Sequence, residues 1–359
     1  MASVKIFGAG SIGNHLAYAF KTKGFRVILS DIDPAALERT KNEIYVNRYG
    51  KWDDEIELKL SKDAFMDETD VVFIGTPPDS HIPLALKVLE NTSPKLILIE
   101  KPLSPPDLKD IDLLIKKAKE KGVEICVGYN HVVSKAALYM GQFLNTDFLG
   151  EVQALSSYTR EHWGGIFKAH PWLSGPKDSY LGYYLRGGGA LCEHSHGLNM
   201  WQHIANSVNA GKIVEVNSTM TFHKDDILSY DKLVVATLKT EHGLVGDLIQ
   251  DVVTFPPNKS SRIQGEKGYA EIILSTNNSD IVRHGNFEAE AREEIFKKSR
   301  PDDFMWEVEH IQSILDGTSS NTTISFAQGI ATMVVIAAIF QSSELRRPVE
   351  INWNNYNFF

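Results

Sequence analysis

Short continuous apolar runs alternate with helical patterns through the first third of the chain. Val4 to Phe7 is an apolar run closed by Gly8, and Ile12 to Lys23 reads as a helix ended by Gly24 in the left-handed cap position. Phe25 to Leu29 is the next strand. Asp33 then serves as N-cap, with Pro34 at the first helical position of a segment reaching about Arg48. Val71 to Ile74 and Leu96 to Ile99 are uninterrupted apolar runs, as parallel strands covered on both faces require. Ser104, Pro105 and Pro106 start a helix whose Leu108, Ile111, Ile115 and Ala118 recur at helical spacing until Gly122. Val123 to Val127 closes the sheet.

From about Glu151 the rhythm changes to longer alternating strands. Val214, Val216, Ser218, Met220 and Phe222 mark one, followed by Lys232 to Lys239 and Leu244 to Gln250. The pattern predicts an α/β protein: an N-terminal doubly wound parallel sheet of Rossmann type over 1–125, and an α+β domain with a large open, mostly antiparallel sheet over 126–359. No repeat, low-complexity tract or flexible linker separates the two.

Composition narrows the function classes. The 359 residues are 43% hydrophobic and 23% charged, with 37 basic against 46 acidic side chains for a net charge of -9. No block of Lys and Arg is dense enough to grip a phosphate backbone, so nucleic acid is not an expected partner. Cys126 and Cys192 are the only cysteines, which excludes a disulfide framework and an all-thiolate zinc site. Met1 to Phe7 lacks the basic and long apolar regions of a signal peptide, and the apolar run Ile330 to Phe340 is roughly half of a bilayer span. A cytoplasmic protein that does not engage membranes, with a buried helix near its end, is the expectation.

The chemistry begins at Gly8-Ala9-Gly10-Ser11-Ile12-Gly13, between a predicted strand and a predicted helix. Gly8 permits the tight turn, Gly10 lets backbone N–H groups approach a pyrophosphate, and Gly13 lets the helix pack on the sheet. The helix start, Ser11 and Ile12, then favours negative charge. Asp31 ends the second strand, 18 residues after Gly13, where a carboxylate accepts hydrogen bonds from ribose hydroxyls and repels a 2'-phosphate. NAD is therefore expected rather than NADP. Thr76-Pro77 and Glu100-Lys101-Pro102 follow two further strands, on the crevice edge where open α/β sheets bind ligands. His81 joins Thr76, Pro77, Glu100 and Lys101 as a candidate cofactor neighbour.

The second informative stretch runs from Arg186 to Trp201, with three glycines before a helical pattern. On a continuous helix Cys192, His196, Asn199 and His203 share one stripe, and Leu191, Leu198, Trp201 and Ala205 another. His194 and His196 would then point roughly 200° apart, and His203 would lie about 10 Å from His196 along the axis. No metal site is expected from them.

Taken together, the Gly8 to Gly13 turn, Thr76-Pro77, Glu100-Lys101-Pro102, the Gly187 to Asn199 block and Gly265-Glu266-Lys267-Gly268 make the chain resemble the glucose-fructose oxidoreductase and inositol dehydrogenase family, Gfo/Idh/MocA. The resemblance implies a Rossmann domain, a second domain with a large open sheet, and a homodimer or homotetramer assembled through that sheet. It also implies that Lys101 and His196 are the catalytic residues. An imidazole with a reference pKa of about 6.5 takes a proton from a carbinol as hydride leaves the same carbon, while an ammonium polarises the oxygen. Relatives often carry an aspartate where this chain has Cys192; either Glu193 takes over its job or the thiol simply packs. Asn130, His131, Trp172, Tyr180 and Cys192, with Lys101 and His196, are the candidate substrate-binding residues. His162, His170, Asp178 and Tyr184 are further polar groups in the same region.

The implied activity is an NAD-dependent dehydrogenase or ketoreductase acting on a secondary hydroxyl of a sugar, sugar derivative, nucleotide sugar or cyclitol. Two alternatives stay open: a glycosidase of the same fold that keeps its NAD bound, and a non-catalytic NAD or sugar sensor. Release of an aglycone without net change in nicotinamide absorbance marks the first, and tight binding without turnover marks the second.

Overall fold

A computed structural model describes residues 1–144, 146–168, 172–276, 278–319 and 322–356. The chain divides into two compact units. One comprises Met1–Ser104, Leu108–Asn130 and Arg300–Phe326; the other comprises Pro105–Asp107, His131–Ser299 and Ala327–Phe359. The boundaries thus differ from 1–125 and 126–359, because residues 300–326 return to the first unit.

In that unit six parallel strands, β1 (Ser3–Phe7), β2 (Arg26–Asp31), β3 (Ile56–Leu60), β4 (Val71–Ile74), β5 (Leu96–Ile99) and β6 (Glu124–Val127), lie in the order 3-2-1-4-5-6. This is the doubly wound order, with its crevice where the winding reverses beside β1. β4 and β5 are buried along their whole length, as their unbroken apolar runs require. The short β3 lacked such a run and was not legible in the sequence. The return segment is fastened to the sheet and to the first helix, Ser11–Thr22. The Val127 N–H donates to the Ile324 carbonyl at 2.8 Å, and the His15 ring stacks on Phe304 at 4.8 Å.

Three local departures have physical causes. The helix expected from Pro34 to about Arg48 is broken into Pro34–Arg39, a π-turn Thr40–Ile44, and Tyr45–Tyr49. The Thr40 hydroxyl is drawn into the glycine turn, donating to the Ala9 carbonyl at 2.9 Å and accepting from the Asn14 amide at 3.1 Å. The helix expected to start at Ser104 begins at Ile111, since Leu108 and Asp110 hold left-handed backbone at φ 54° and 61°. Lys5, inside the first apolar run, is buried. Its ammonium donates to the carbonyls of Ala64 and Asp67 at 2.9 Å, and burial lowers its pKa to about 8.

The second unit is built on a nine-stranded sheet: β7 (Val152–Arg160), β8 (Ile213–Lys224), β9 (Ser229–Thr240), β10 (Val245–Asp251), β11 (Asn258–Gly265), β12 (Gly268–Thr276), β13 (Ser279–Asn286), β14 (Ala289–Lys297) and β15 (Val349–Glu350). Their order is 14-13-12-11-7-10-9-8-15, antiparallel except where β10 pairs with β7. Helices Lys135–Leu144, His196–Ser207 and Phe326–Leu345 cover one face. In β9 the covered residues Val234, Ala236 and Leu238 alternate with exposed Val235, Thr237 and Lys239, so the opposite face is open in this chain. The Phe326–Leu345 helix is longer than the apolar run suggested, and by length and composition alone it could cross a membrane. Most of its middle is buried, and the Ser218 hydroxyl donates to the Ile339 carbonyl at 2.6 Å.

Candidate active site

Parallel register brings residues from four strands into one row. Pairing continues one step past the strands: the N–H groups of Gly8, Gly75, Glu100 and Gly128 donate to Ser30, Phe7, Ile74 and Ile99 at 2.8–2.9 Å. Gly8, Gly75 and Glu100 therefore emerge together on the carboxyl edge, with Asp31 beside Gly8. The glycine turn is as tight as its sequence demanded. A Cβ on Gly13 would lie 1.9 Å from the Gly8 carbonyl oxygen, whereas one on Gly10 would meet nothing within 4 Å. Gly13 is needed for packing, and Gly10 faces open space.

That space is a cavity of about 540 Å³ lined by Gly8, Gly10, Asp31, Ile32, Thr76 and Pro77, with Phe65 and Lys87 farther along its wall. Asp31 Oδ2 accepts the Ala9 N–H at 2.8 Å and Oδ1 accepts the Asp33 N–H at 2.9 Å. Each oxygen retains a lone pair for another donor. Asp33 caps its helix, accepting from the Ala35 N–H at 2.9 Å, as expected. The glycine turn, the start of the first helix and the Asp31 carboxylate fit a dinucleotide.

His81 does something other than touch a ligand. It is fully buried, with Nε2 2.7 Å from the Thr76 carbonyl oxygen and Nδ1 3.0 Å from that of Pro102. Burial lowers its pKa to about 4, so the ring is neutral at pH 7 and only one nitrogen donates at a time. With no surface to offer a cofactor, it braces the Thr76-Pro77 turn against the Glu100-Lys101-Pro102 segment. Lys101 itself is half-buried, next to a cis peptide bond to Pro102. Asn130 points inward, its amide 3.5 Å from the buried Glu307 carboxylate.

In the second unit the continuous helix expected around the histidines is interrupted. Gly189–Glu193 forms a short turn of helix, His194 and Ser195 follow, and a new helix starts at His196. The interruption is held from the sheet. Gln250 of β10 donates to the His194 carbonyl, and the Ser157 hydroxyl of β7 donates to the Gly197 carbonyl at 3.0 Å. Gly197 is required there, because a Cβ would lie 2.3 Å from the Thr159 hydroxyl. Cys192, His194 and Ser195 are buried, leaving Glu193 and His196 as the half-buried members of the block. Cys192 is therefore a core side chain with no surface for a substrate.

His131 stacks on His196 with ring centroids 4.0 Å apart. The Tyr180 hydroxyl donates to Glu193 at 3.1 Å. His162, Asp178 and Tyr184 serve local structure: the first two accept from the N–H groups of Gly164 and Ser174, and Tyr184 packs against Phe222 and Phe340. Trp172 is exposed, and His170 lies outside the described residues. Among the described residues no group of three His, Cys, Asp or Glu side chains is placed to hold a metal ion.

Sequence reasoning missed the buried acid that holds the Gly189–Glu193 turn. Asp231 of β9 accepts the Leu191 N–H at 2.7 Å, and its Oδ1 occupies the place a Cβ on Gly189 would need. Burial raises its pKa to about 7, against the backbone N–H groups that favour its charged form. No local signal marks it, since it lies 40 residues from the turn it holds.

Comparison with known proteins agrees with this architecture. Residues 2–129 match the Gfo/Idh/MocA oxidoreductase family, NAD-binding Rossmann fold, and residues 179–351 match the C-terminal alpha/beta domain of the same family. Similar solved structures include an aldose-aldose oxidoreductase from Caulobacter crescentus complexed with glycerol, at 18% identity and a TM-score of 0.77 over 98% of this chain and 99% of that one. A levoglucosan dehydrogenase complexed with NADH and L-sorbose has 17% identity, a TM-score of 0.77 and the same coverage. The WlbA dehydrogenase from Bordetella pertussis, in complex with NADH and UDP-GlcNAcA, has 17% identity and a TM-score of 0.73, again over 98% and 99%. No curated protein matches by sequence.

Proposed function

Since this chain belongs to the Gfo/Idh/MocA oxidoreductase family, with its NAD-binding Rossmann and C-terminal domains matched over most of the length, we propose that it is an NAD-dependent dehydrogenase or ketoreductase. Its substrate is a secondary hydroxyl, or the matching ketone, of a sugar, sugar derivative, nucleotide sugar or cyclitol. The observation that carries the reading is the row of Gly8, Asp31, Gly75 and Glu100 along one sheet edge, beside an open cavity. The sugar-type substrate is supported by relatives of the same fold complexed with L-sorbose and UDP-GlcNAcA.

The N–H groups of the glycine turn and the start of the first helix hold the pyrophosphate, and the Asp31 carboxylate accepts the ribose hydroxyls. A 2'-phosphate would bring negative charge against that carboxylate, so NAD is preferred over NADP. When bound, the nicotinamide supplies the hydride acceptor or donor. Lys101 polarises the substrate oxygen, and His196 takes or returns its proton. Glu193, hydrogen-bonded by Tyr180, supplies the negative charge that Cys192 lacks. His131 contributes the face that orients His196, and Trp172 offers an exposed ring for a polyol. The open sheet face is the proposed homodimer or homotetramer contact, where exposed Val235 and Val245 give it apolar surface.

A thermal-stability screen with NAD, NADP and a panel of sugars and sugar nucleotides tests the reading. NAD at 100 times its dissociation constant should add about 2.7 kcal/mol of stability, and NADP at the same concentration less. Lys101→Met and His196→Ala should each abolish turnover of the substrate so found. Absence of an NAD response would overturn the assignment, as would turnover untouched by both substitutions.

A further inference from the structure

A second carboxyl group lies against the strand end that carries Lys101. The return helix, Asp302–Leu315, brings Glu307 into the first unit's core, where only 1% of its surface is exposed. Its Oε2 is 3.5 Å from the Asn130 amide, and its Oε1 has no hydrogen-bond partner among the described residues. Gly128, the residue after β6, shows how close Glu100 comes. A Cβ there would lie 2.8 Å from Glu100 Oε2 and 3.4 Å from Glu307 Oε1, so both carboxyl groups rest on the same glycine. Glu307 is buried and Glu100 half-buried, and a buried acid held beside a second carboxyl group does not readily ionise alongside it.

We propose that Glu307 is a positioning residue for the Glu-Lys-Pro segment: it shares one proton with Glu100 and so fixes the charge and placement of the strand end from which Lys101 projects. The carboxyl groups nearest it agree in sign. Glu100 at the end of β5 and Asp303 on its own helix both act to keep Glu307 protonated, after burial as the main cause. Cys126 of β6 is buried, and that burial, with Glu124, pushes its thiol up, so it is a neutral neighbour. The first helix contributes Lys23, which pairs with Glu309 at 2.6 Å, and His15, which stacks on Phe304. The consequence for catalysis rests on the reading that Lys101 works at the substrate oxygen; the proton sharing does not.

The test compares wild type with Glu307→Gln and Glu307→Leu and needs no substrate. Gln imitates the protonated acid and keeps its hydrogen bonds; Leu keeps only the volume. Thermal unfolding between about pH 5 and pH 8 should show the Gln variant gaining on wild type as pH rises, because only wild type must hold a proton to fold. A difference constant over that range overturns the shared proton. At fixed pH, acylation of Lys101 by a small amine-reactive ester, read by peptide mass spectrometry, should change severalfold in the Leu variant and return to the wild-type rate in the Gln variant. Equal rates in all three proteins overturn the positioning role. Failure to find a substrate would count against the proposed function and leave both readouts intact.

Discussion

The imidazole rings of His131 and His196 lie 4.0 Å apart and 20° from parallel, a stacked pair at the start of the His196–Ser207 helix. Stacked aromatic contacts contribute about 0.5–1.5 kcal/mol beyond the area they bury. His131→Ala should therefore lower stability in urea unfolding by about that amount, and His131→Phe should recover most of it. Turnover should follow the same order, since a His196 ring released from its stack samples orientations that miss the substrate proton. An alanine variant as stable and active as wild type would remove His131 from the site.

Gly10 and Gly13, three residues apart in one turn, should respond oppositely to the same substitution. A Cβ on Gly10 meets open space at an ordinary φ of -78°, so Gly10→Ala should leave stability within about 0.5 kcal/mol of wild type. The methyl group occupies the ground where a pyrophosphate approaches the backbone, and NAD affinity should fall at least roughly tenfold, which is about 1.4 kcal/mol. Gly13→Ala forces a carbon to 1.9 Å from the Gly8 carbonyl oxygen and should cost several kcal/mol, on the order of 3–5. Calorimetric NAD titration beside thermal unfolding separates the two.

His81 gives acid sensitivity to the brace between Thr76 and Pro102. Its pKa is about 4 in the folded chain against 6.5 unfolded, so the unfolded chain binds more protons between those values. Stability should fall as pH drops from about 6.5 to 4, by up to about 3 kcal/mol at the lower end. His81→Gln keeps a donor near one carbonyl and has no titration there. Its stability should lie below wild type at pH 7, by about 1–3 kcal/mol for the imperfectly paired carbonyls, and converge on wild type as pH falls. Parallel stability curves for the two proteins would show that the ring does not titrate as its burial requires.

The parallel sheet was legible because each buried strand carries an unbroken apolar run and each turn its own punctuation. Val71 to Ile74 and Leu96 to Ile99 could hardly be anything else, and Gly8, Gly13, Gly24, Asp33 and Gly122 marked the turns and caps between elements. Where a side chain answers to a distant partner, the pattern was silent. Thr40 sits at a helical spacing, yet its hydrogen bonds to Ala9 and Asn14 open the helix into a π-turn. The block around His196 reads as one helix, and Gln250, more than 50 residues away, stops it at His194. His81, Asp231 and Glu307 share this property. Their roles are fixed by burial beside groups remote in sequence, which local periodicity does not encode.

Asp231 supplies the pH dependence of the second unit. Burial holds its pKa near 7 in the folded chain, against 3.8 in the unfolded one. Between those values the unfolded carboxyl ionises while the folded one keeps its proton, so this residue's contribution to stability is present at low pH and lost as pH rises through about 7. Asp231→Asn keeps an oxygen for the Leu191 N–H and has nothing to ionise. Relative to wild type the variant should gain stability from about pH 4 to pH 7, the difference approaching at most on the order of 4 kcal/mol. Urea unfolding of both proteins at three pH values in that window checks the slope. If the difference stays flat, Asp231 is ionised in the folded chain, and the Gly189–Glu193 turn is held by a charged acceptor instead. In that case removing the charge should also loosen the turn bearing Glu193, and Asp231→Asn should be the less stable protein throughout.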